Sequence, residues 1–497
     1  MGNRVVIVGG GHNALVAAAY LARAGRSVLV LERLGHVGGA AVSASPFPGV
    51  RLSRYSYLVS LLPDRIVHDL GLRLDLRTRS VSSYTPVDQG GLLVGGPDTA
   101  GSFRALTGSH AEYDRWREFY GAITLMAKAL APTLLEPVLT RESVRDLVLA
   151  AAGERTWRQV FEQSLGETLE ETFTNDIVRG VVATDGLIGT YTSLYDLRAN
   201  RCFLYHVIGN GTGDWRVPVG GMGSVTAELD RAARRSGARI TTNAEVTAIE
   251  ADGITAEVRY VVAGEERTVA ADHVLSGVAP AILDRLRGRT PADAAPGAQL
   301  KINLLLDRLP RFKSGVSPED AFAGTLHLDE SFADLENAYR ATEAGALPDH
   351  PPAETYCHTL TDRSIVDSPT AHTLTLFGLH TPAALFADPG ARDELVSRYL
   401  ARLNHHLVDP IEDCLAHFPD GRPCLEARTP LDLEADLSMP HGNIFHGDLT
   451  WPFAERPVGW GVETDTPNLL NCGSSALRGG GVSGIAGHNA AMALLNP

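Results

Sequence analysis

The chain has 497 residues, 44% of them apolar, and a formal charge of −15. That length exceeds one usual hydrophobic core, so two domains are expected from a composition that is ordinary for a globular protein. The acidic balance argues against a nucleic-acid partner, and no apolar run reaches the length of a membrane span.

Residues 4–33 read RVVIVGGGHNALVAAAYLARAGRSVLVLER. The β-branched run 5–8 predicts a strand covered on both faces. Gly9, Gly10 and Gly11 follow at once. An alanine-rich helix is expected over 13–24, stopped by Gly25, then a strand over 27–31 that ends in Glu32. A strand this early leaves no room for a cleaved leader, so a cytoplasmic location is expected, with peripheral membrane contact left open.

Each residue type in this stretch has a physical reason. Gly9 allows a tight turn, Gly11 leaves the backbone open to a pyrophosphate, and Ala14 lets the helix pack closely on the strand. The free N–H groups of the helix N-terminus favour the phosphates. Glu32 stands 18 residues after Ala14, the spacing at which a carboxylate reaches the adenosine ribose. The pattern therefore predicts a dinucleotide site. Arg33 and a second glycine turn, Gly38-Gly39-Ala40, follow the acid and suit a long cofactor lying extended across the domain.

Residues 43–75 read as a loop in which Pro63 opens a short helix ending near Gly71. Residues 78–104 alternate short strands with glycine turns, and 108–185 read as mostly helical. Helices are expected over 141–152 and 165–182, the latter opened by a Ser164/Glu167 capping box. Residues 215–250 repeat the turn–helix–strand pattern, with Gly220, Gly221 and Gly223 before an amphipathic helix. That turn lacks the GxGxxG spacing and the terminal acid, so no separate NAD(P)H domain is expected. Residues 298–307 and 372–380 read as strands of a second sheet, with one wetter face at Lys301 and Asn303. A strand over 468–472, a glycine turn and a helix starting at Val482 end the chain.

The five cysteines, Cys202, Cys357, Cys414, Cys424 and Cys472, form no CxxC pair. Neither a thiol relay nor a metal site is expected from them. The adjacent His405 and His406 sit in a helical pattern, where neighbours face different ways.

Together the first motif, the GGMGS helix and the terminal GGGVSGIAGHNAA helix resemble the phytoene desaturase-like branch of the FAD oxidoreductases. The nearer resemblance is to its subgroup named for pyridine nucleotide-disulphide oxidoreductase domain-containing protein 2. It rests also on PGVRLSRYSYLVSLLP, KINLLLDRLPRF and MPHGNIFHGDL, in the family's order over nearly the whole chain. Ala14 replaces a glycine common in the family, and NCGSSALRGGG replaces the more usual CGAGTHPGGG.

The resemblance implies an α/β fold. A Rossmann-like FAD-binding domain of the flavin amine oxidase/phytoene desaturase type would comprise 1–75, 215–290 and 455–497. A discontinuous sheet-plus-helix substrate domain would comprise 76–214 and 291–454, with its helical subregion at about 108–185. It implies that Gly9, Gly11, Asn13, Ala14, Glu32, Arg33, Gly38, Gly39 and Ala40 hold the ADP half of FAD. Val246 would offer a backbone contact to adenine, and Gly473, Gly481, Val482 and Ser483 would lie along the pyrophosphate, ribityl chain and flavin edge.

The expected reaction removes hydride from a C–H bond of a largely apolar small molecule, giving C=C or C=N. The missing NAD(P)H domain points to O₂ or a quinone as electron acceptor. His441 and His446 are candidates for proton transfer, and Tyr55 for the pocket beside Arg54 and Tyr57. Two alternatives stand beside this reading: a flavin-dependent isomerase of a conjugated substrate, and a non-catalytic escort protein on the same fold. The sequence does not give the oligomeric state.

Overall fold

The computed structural model describes residues 4–209, 211, 214–291 and 293–496. Strand β1 (Arg4–Val8), helix α1 (His12–Arg23) and strand β2 (Ser27–Leu31) form the expected unit. Both strands join a parallel sheet whose order is Arg239–Thr241, β2, β1, His273–Ser276, Leu469–Asn471. The beginning, middle and end of the chain thus meet in one sheet.

The two-residue period of β1 divides the core. Val5 and Ile7 face α1 and the helices Met222–Arg235 and Ile485–Leu495. Val6 and Val8 face a three-stranded antiparallel sheet, Ala244–Ala251, Ala256–Val262 and Glu265–Ala271, where Val246, Ile249 and Val258 meet them. Both faces are covered, so β1 is apolar throughout. The crossing of α1 with Ile485–Leu495 is close enough that a Cβ on Gly487 would overlap the carbonyl oxygen of Asn13.

The second sheet has seven strands in the order Leu425–Arg428, Leu300–Leu306, His372–Gly378, Ala353–Tyr356, Thr325–Leu328, Ser83–Pro86, Gly91–Val94. Its neighbours are antiparallel except for the parallel pair Thr325–Leu328 and Ser83–Pro86. No wet face exists on Leu300–Leu306: all seven residues are buried, and Lys301 and Asn303 point into the molecule. Helices Ala111–Leu130, Arg141–Trp157, Leu165–Thr172, Asp176–Ala183 and Leu197–Ile208 form the helical region. No helix among the described residues is long and apolar enough to cross a membrane.

Three helix expectations are corrected. The helix expected over 141–152 reaches Trp157, kinked at Gly153, whose φ of 83° is left-handed. The helix expected over 165–182 is two helices. Asn175 caps the second by accepting from the N–H groups of Ile177 and Val178. The buried Glu112 carboxylate, from a distant helix, accepts from the backbone of Thr174 at 3.2 Å and of Asn175 at 3.4 Å. The capping box at Ser164 and Glu167 forms as expected. The last helix starts at Ile485 rather than Val482, because Gly484 is left-handed with φ 72°.

The Glu112 contact gives a stability test. Glu112→Ala removes a buried acceptor shared by the Thr174 and Asn175 backbone and by Arg115, and is expected to lower unfolding free energy by about 1–3 kcal/mol. Glu118→Ala, which removes the exposed partner of Arg155, is expected to change it by less than about 1 kcal/mol. Chemical denaturation of the intact protein compares the two.

Candidate cofactor and substrate site

A cavity of about 460 Å³ lies between the carboxyl edge of the parallel sheet and the seven-stranded sheet. Its first end is built by the β1–α1–β2 unit. Gly9 turns the chain with φ 90°. Gly11 has φ −67° and ψ 169°, a conformation open to any residue. Its glycine is needed for room instead: a Cβ there would meet nothing within 4 Å, so the space above the N-terminus of α1 is open. No side chain caps α1 and no acid occupies its first turn. Its N–H groups are therefore left for an anion.

Asn13 is only 4% exposed, yet its Oδ1 has no hydrogen-bond partner. Glu32 accepts from the Gly10 N–H at 2.6 Å and from the Leu34 N–H at 2.7 Å, which fixes its carboxylate at the end of β2. Ala14, Arg33, Gly39, Ala40, Val246, Gly473, Gly481 and Val482 also line the cavity. Two expected cofactor residues do not. Gly38 supports the turn from behind, its N–H donating to the Gly10 carbonyl at 2.9 Å. Ser483 is fully buried, and its hydroxyl accepts the Ile485 N–H at 3.2 Å at the start of the last helix. The open space over Gly11, the bare helix terminus, the orphaned Asn13 oxygen and the fixed carboxylate fit the ADP half of FAD.

The other end is aromatic and apolar, with Tyr57, Ile188, Trp215, Phe377, Phe445 and Leu449 among its walls. Lys301 enters here from the second sheet and is 2% exposed. Its ammonium group donates to the Tyr55 carbonyl and lies 4.0 Å from the centre of the Tyr57 ring. Burial pulls its pKa well below that of an ordinary lysine, with Glu426 opposing. Gln299, on the same strand face, donates to the Gly442 carbonyl at 2.6 Å.

His446 lines the cavity with its Nδ1 unpartnered. Burial lowers its pKa to about 4, with His12 adding to the effect. His12 is likewise lowered to about 4 by burial, and its Nε2 lies 3.0 Å from the Gly481 carbonyl. Tyr55 lines the cavity, but its hydroxyl donates to Asp436 at 2.6 Å and is committed to that acceptor. The structure does not bring His441 to the cavity. It is exposed, and its backbone N–H donates to Glu434 at 3.0 Å. Arg54 pairs with Glu426 instead of facing the cavity. Lys301, His12 and Gln299 were not singled out by the motifs. For Lys301 a signal existed: one lysine in the otherwise apolar strand LKINLLL.

Residues 7–72 match the NAD(P)-binding Rossmann-like domain, and residues 60–405 match the flavin containing amine oxidoreductases. The chain belongs to the latter family and is an FAD-dependent oxidoreductase, which sets the escort reading aside. It is 48% identical to an uncharacterized protein of Mycobacterium tuberculosis, over 99% of this chain and 96% of that one. It is 31% identical to pyridine nucleotide-disulfide oxidoreductase domain-containing protein 2 of Mus musculus, over 98% of this chain and 92% of the relative. All five cysteines here are buried and free. A solved putrescine oxidase, bound to putrescine, superposes with a TM-score of 0.61 at 17% identity over the whole of both chains. That likeness is one of fold.

Two site predictions follow from the geometry. Gly11→Val fills the open space and is expected to abolish FAD retention, and Glu32→Ala to weaken it about 10–100-fold. Flavin absorbance after gel filtration reads both. His12 and His446 have folded-state values near 4, below the unfolded value of 6.5, so both are neutral at pH 7. Their contribution to stability is complete above about pH 6.5 and is lost as the pH falls toward 4. His446→Gln is expected to reduce that acid sensitivity in a thermal melt series.

Proposed function

We propose that this enzyme removes a hydride from a C–H bond of a largely apolar organic substrate, forming C=C or C=N. The accompanying proton passes to the protein or solvent, and the two electrons leave to O₂ or a quinone. FAD, when bound, supplies the two-electron acceptor. Gly9, Gly11, Asn13, Ala14, Glu32, Arg33, Gly39, Ala40, Val246, Gly473, Gly481 and Val482 hold it, with Gly38 and Ser483 shaping the turns behind.

The observation that carries this reading is a single cavity joining the Glu32 end to an apolar, aromatic end containing one buried amine. The lining carboxylates among the described residues are Glu32 and Glu245, both on nucleotide-side elements. The Lys301 end thus offers no counter-ion for a cationic substrate. A neutral, apolar substrate suits it better, since an unpaired buried charge is costly. The pKa-lowered Lys301 and the neutral His446, with its free Nδ1, are the groups able to accept the proton.

The test mixes the flavin-loaded protein anaerobically with apolar alkenes and neutral amines. Bleaching of the flavin, a product two hydrogens lighter, and recovery of colour on adding O₂ or a quinone are the expected results. A product of unchanged mass selects the isomerase reading, and reoxidation strictly dependent on a pyridine nucleotide overturns the acceptor assignment. Lys301→Met is expected to retain FAD and to slow bleaching by about 10²–10⁴-fold.

A further inference from the structure

Behind the aromatic wall lies a second polar cluster that the reaction does not use. His327 and Glu354 stand opposite each other on the paired strands Thr325–Leu328 and Ala353–Tyr356. Glu330 follows His327 by three residues, after a left-handed turn at Asp329, whose φ is 50°. Arg402 pins that turn by donating to both Asp329 oxygens, at 2.7 and 2.8 Å. The backbone of helix Asp176–Ala183 presses on Glu330 so closely that a Cβ on Gly180 would overlap its carbonyl oxygen. Glu330 is therefore held in place from two sides.

Glu330 is 1% exposed, and neither of its carboxylate oxygens has a hydrogen-bond partner. The Thr184 hydroxyl, which also acts on Glu330, gives its hydrogen bond to Glu354 at 3.2 Å. A buried carboxylate without a partner calls for an ion or another ligand. The ligand atoms of His327, Glu330 and Glu354 all lie within 4.8 Å of one another, with His327 Nε2 4.0 Å from Glu330. The other ring nitrogen of His327, Nδ1, bonds the Thr85 hydroxyl at 2.9 Å, which orients Nε2 toward the carboxylates.

Asp185 and Arg79 lie beside the cluster, while Asp329 is already paired with Arg402.

We propose that His327, Glu330 and Glu354 bind one divalent transition-metal ion of the zinc type in a buried site behind the cavity wall. Imidazole and carboxylate ligands suit such an ion. At ligand distances of about 2.0–2.2 Å, an ion at the centre draws each ligand inward by less than about 1 Å. The spacing of these residues in the chain carries no metal motif; only the strand pairing and the Asp329 turn unite them. The ion ties strand Thr325–Leu328 and the turn after it to strand Ala353–Tyr356, and backs the substrate wall. The Tyr356 hydroxyl donates to Glu354, and the Tyr356 ring packs 4.6 Å from that of Tyr57, which lines the cavity.

The full-length protein, treated with a chelator and dialysed, is titrated with Co²⁺ followed by its visible d–d absorption, and with Zn²⁺ followed by elemental analysis. One equivalent bound per chain is expected, at unchanged flavin content. His327→Gln and Glu330→Gln are expected to lose the ion, and Thr85→Val to weaken it about 10–100-fold by releasing the His327 ring. Wild-type protein that takes up no stoichiometric metal overturns the proposal, as does uptake unchanged in both ligand variants. A Glu330→Gln variant that is more stable, beside a metal-free wild type, assigns protons to the cluster instead. The readout is metal content, so its outcome is independent of the catalytic reading.

Discussion

The five-stranded parallel sheet is assembled from three distant stretches of chain, and the site exists only where their carboxyl ends converge. Open α/β sheets present their ligands at that edge, because the strands end there and the following helices point their N–H groups back at it. Here the edge gathers Val8 to Gly11, Leu31 to Glu32, Gly277 and Gly473 around one cavity. The strict alternation in β1 makes this placement rigid: two residues lock the helical layer and two lock the antiparallel sheet. A slip of one residue would exchange the two faces and misdirect every turn that follows.

Burial lowers the pKa of three basic groups on the cavity wall. His12 and His446 are held near 4 by burial, and the same effect lowers Lys301. Lys301 is not left without partners, since the Tyr55 carbonyl accepts from it and the face of Tyr57 lies beneath it. Desolvation and cation–π contact thus act on Lys301 in opposite directions. The strand that carries it alternates Gln299, Lys301 and Asn303 toward the same side, and all three are buried. Their polar groups are satisfied by backbone carbonyls and by Glu426 and Thr375.

Local chemistry was legible in the sequence, and long-range chemistry was not. The glycine turn, α1 and Glu32 could be read because each residue acts within one βαβ unit. The capping box at Ser164 could be read for the same reason. The break after Thr172 was only half legible: its Asn175 cap is local, but Glu112, which also holds the turn, lies sixty-two residues from Thr174. Lys301 looked like the wet side of a strand, since alternation reports which side is polar and not whether water reaches it. His441 and His446 are five residues apart in one loop, yet only His446 faces the cavity, and both have left-handed backbones that no periodicity foretells. Gly38 and Ser483 lie beside cofactor-facing residues in the chain and act one layer behind them.

That second layer bears on how the enzyme can select a substrate. The visible wall is apolar, but Tyr57 rests on Tyr356, Tyr356 on Glu354, and Glu354 on Thr184. Hydrogen bonds are directional, so a wall backed by them holds its shape more tightly than one backed by aliphatic side chains alone. A wall that presents apolar surface while polar groups fix it from behind discriminates by shape rather than by charge. Shape discrimination in an apolar pocket is modest, about 1–3 kcal/mol for each methylene. Under the function proposed above, such a wall would accept a series of related apolar molecules and reject charged ones.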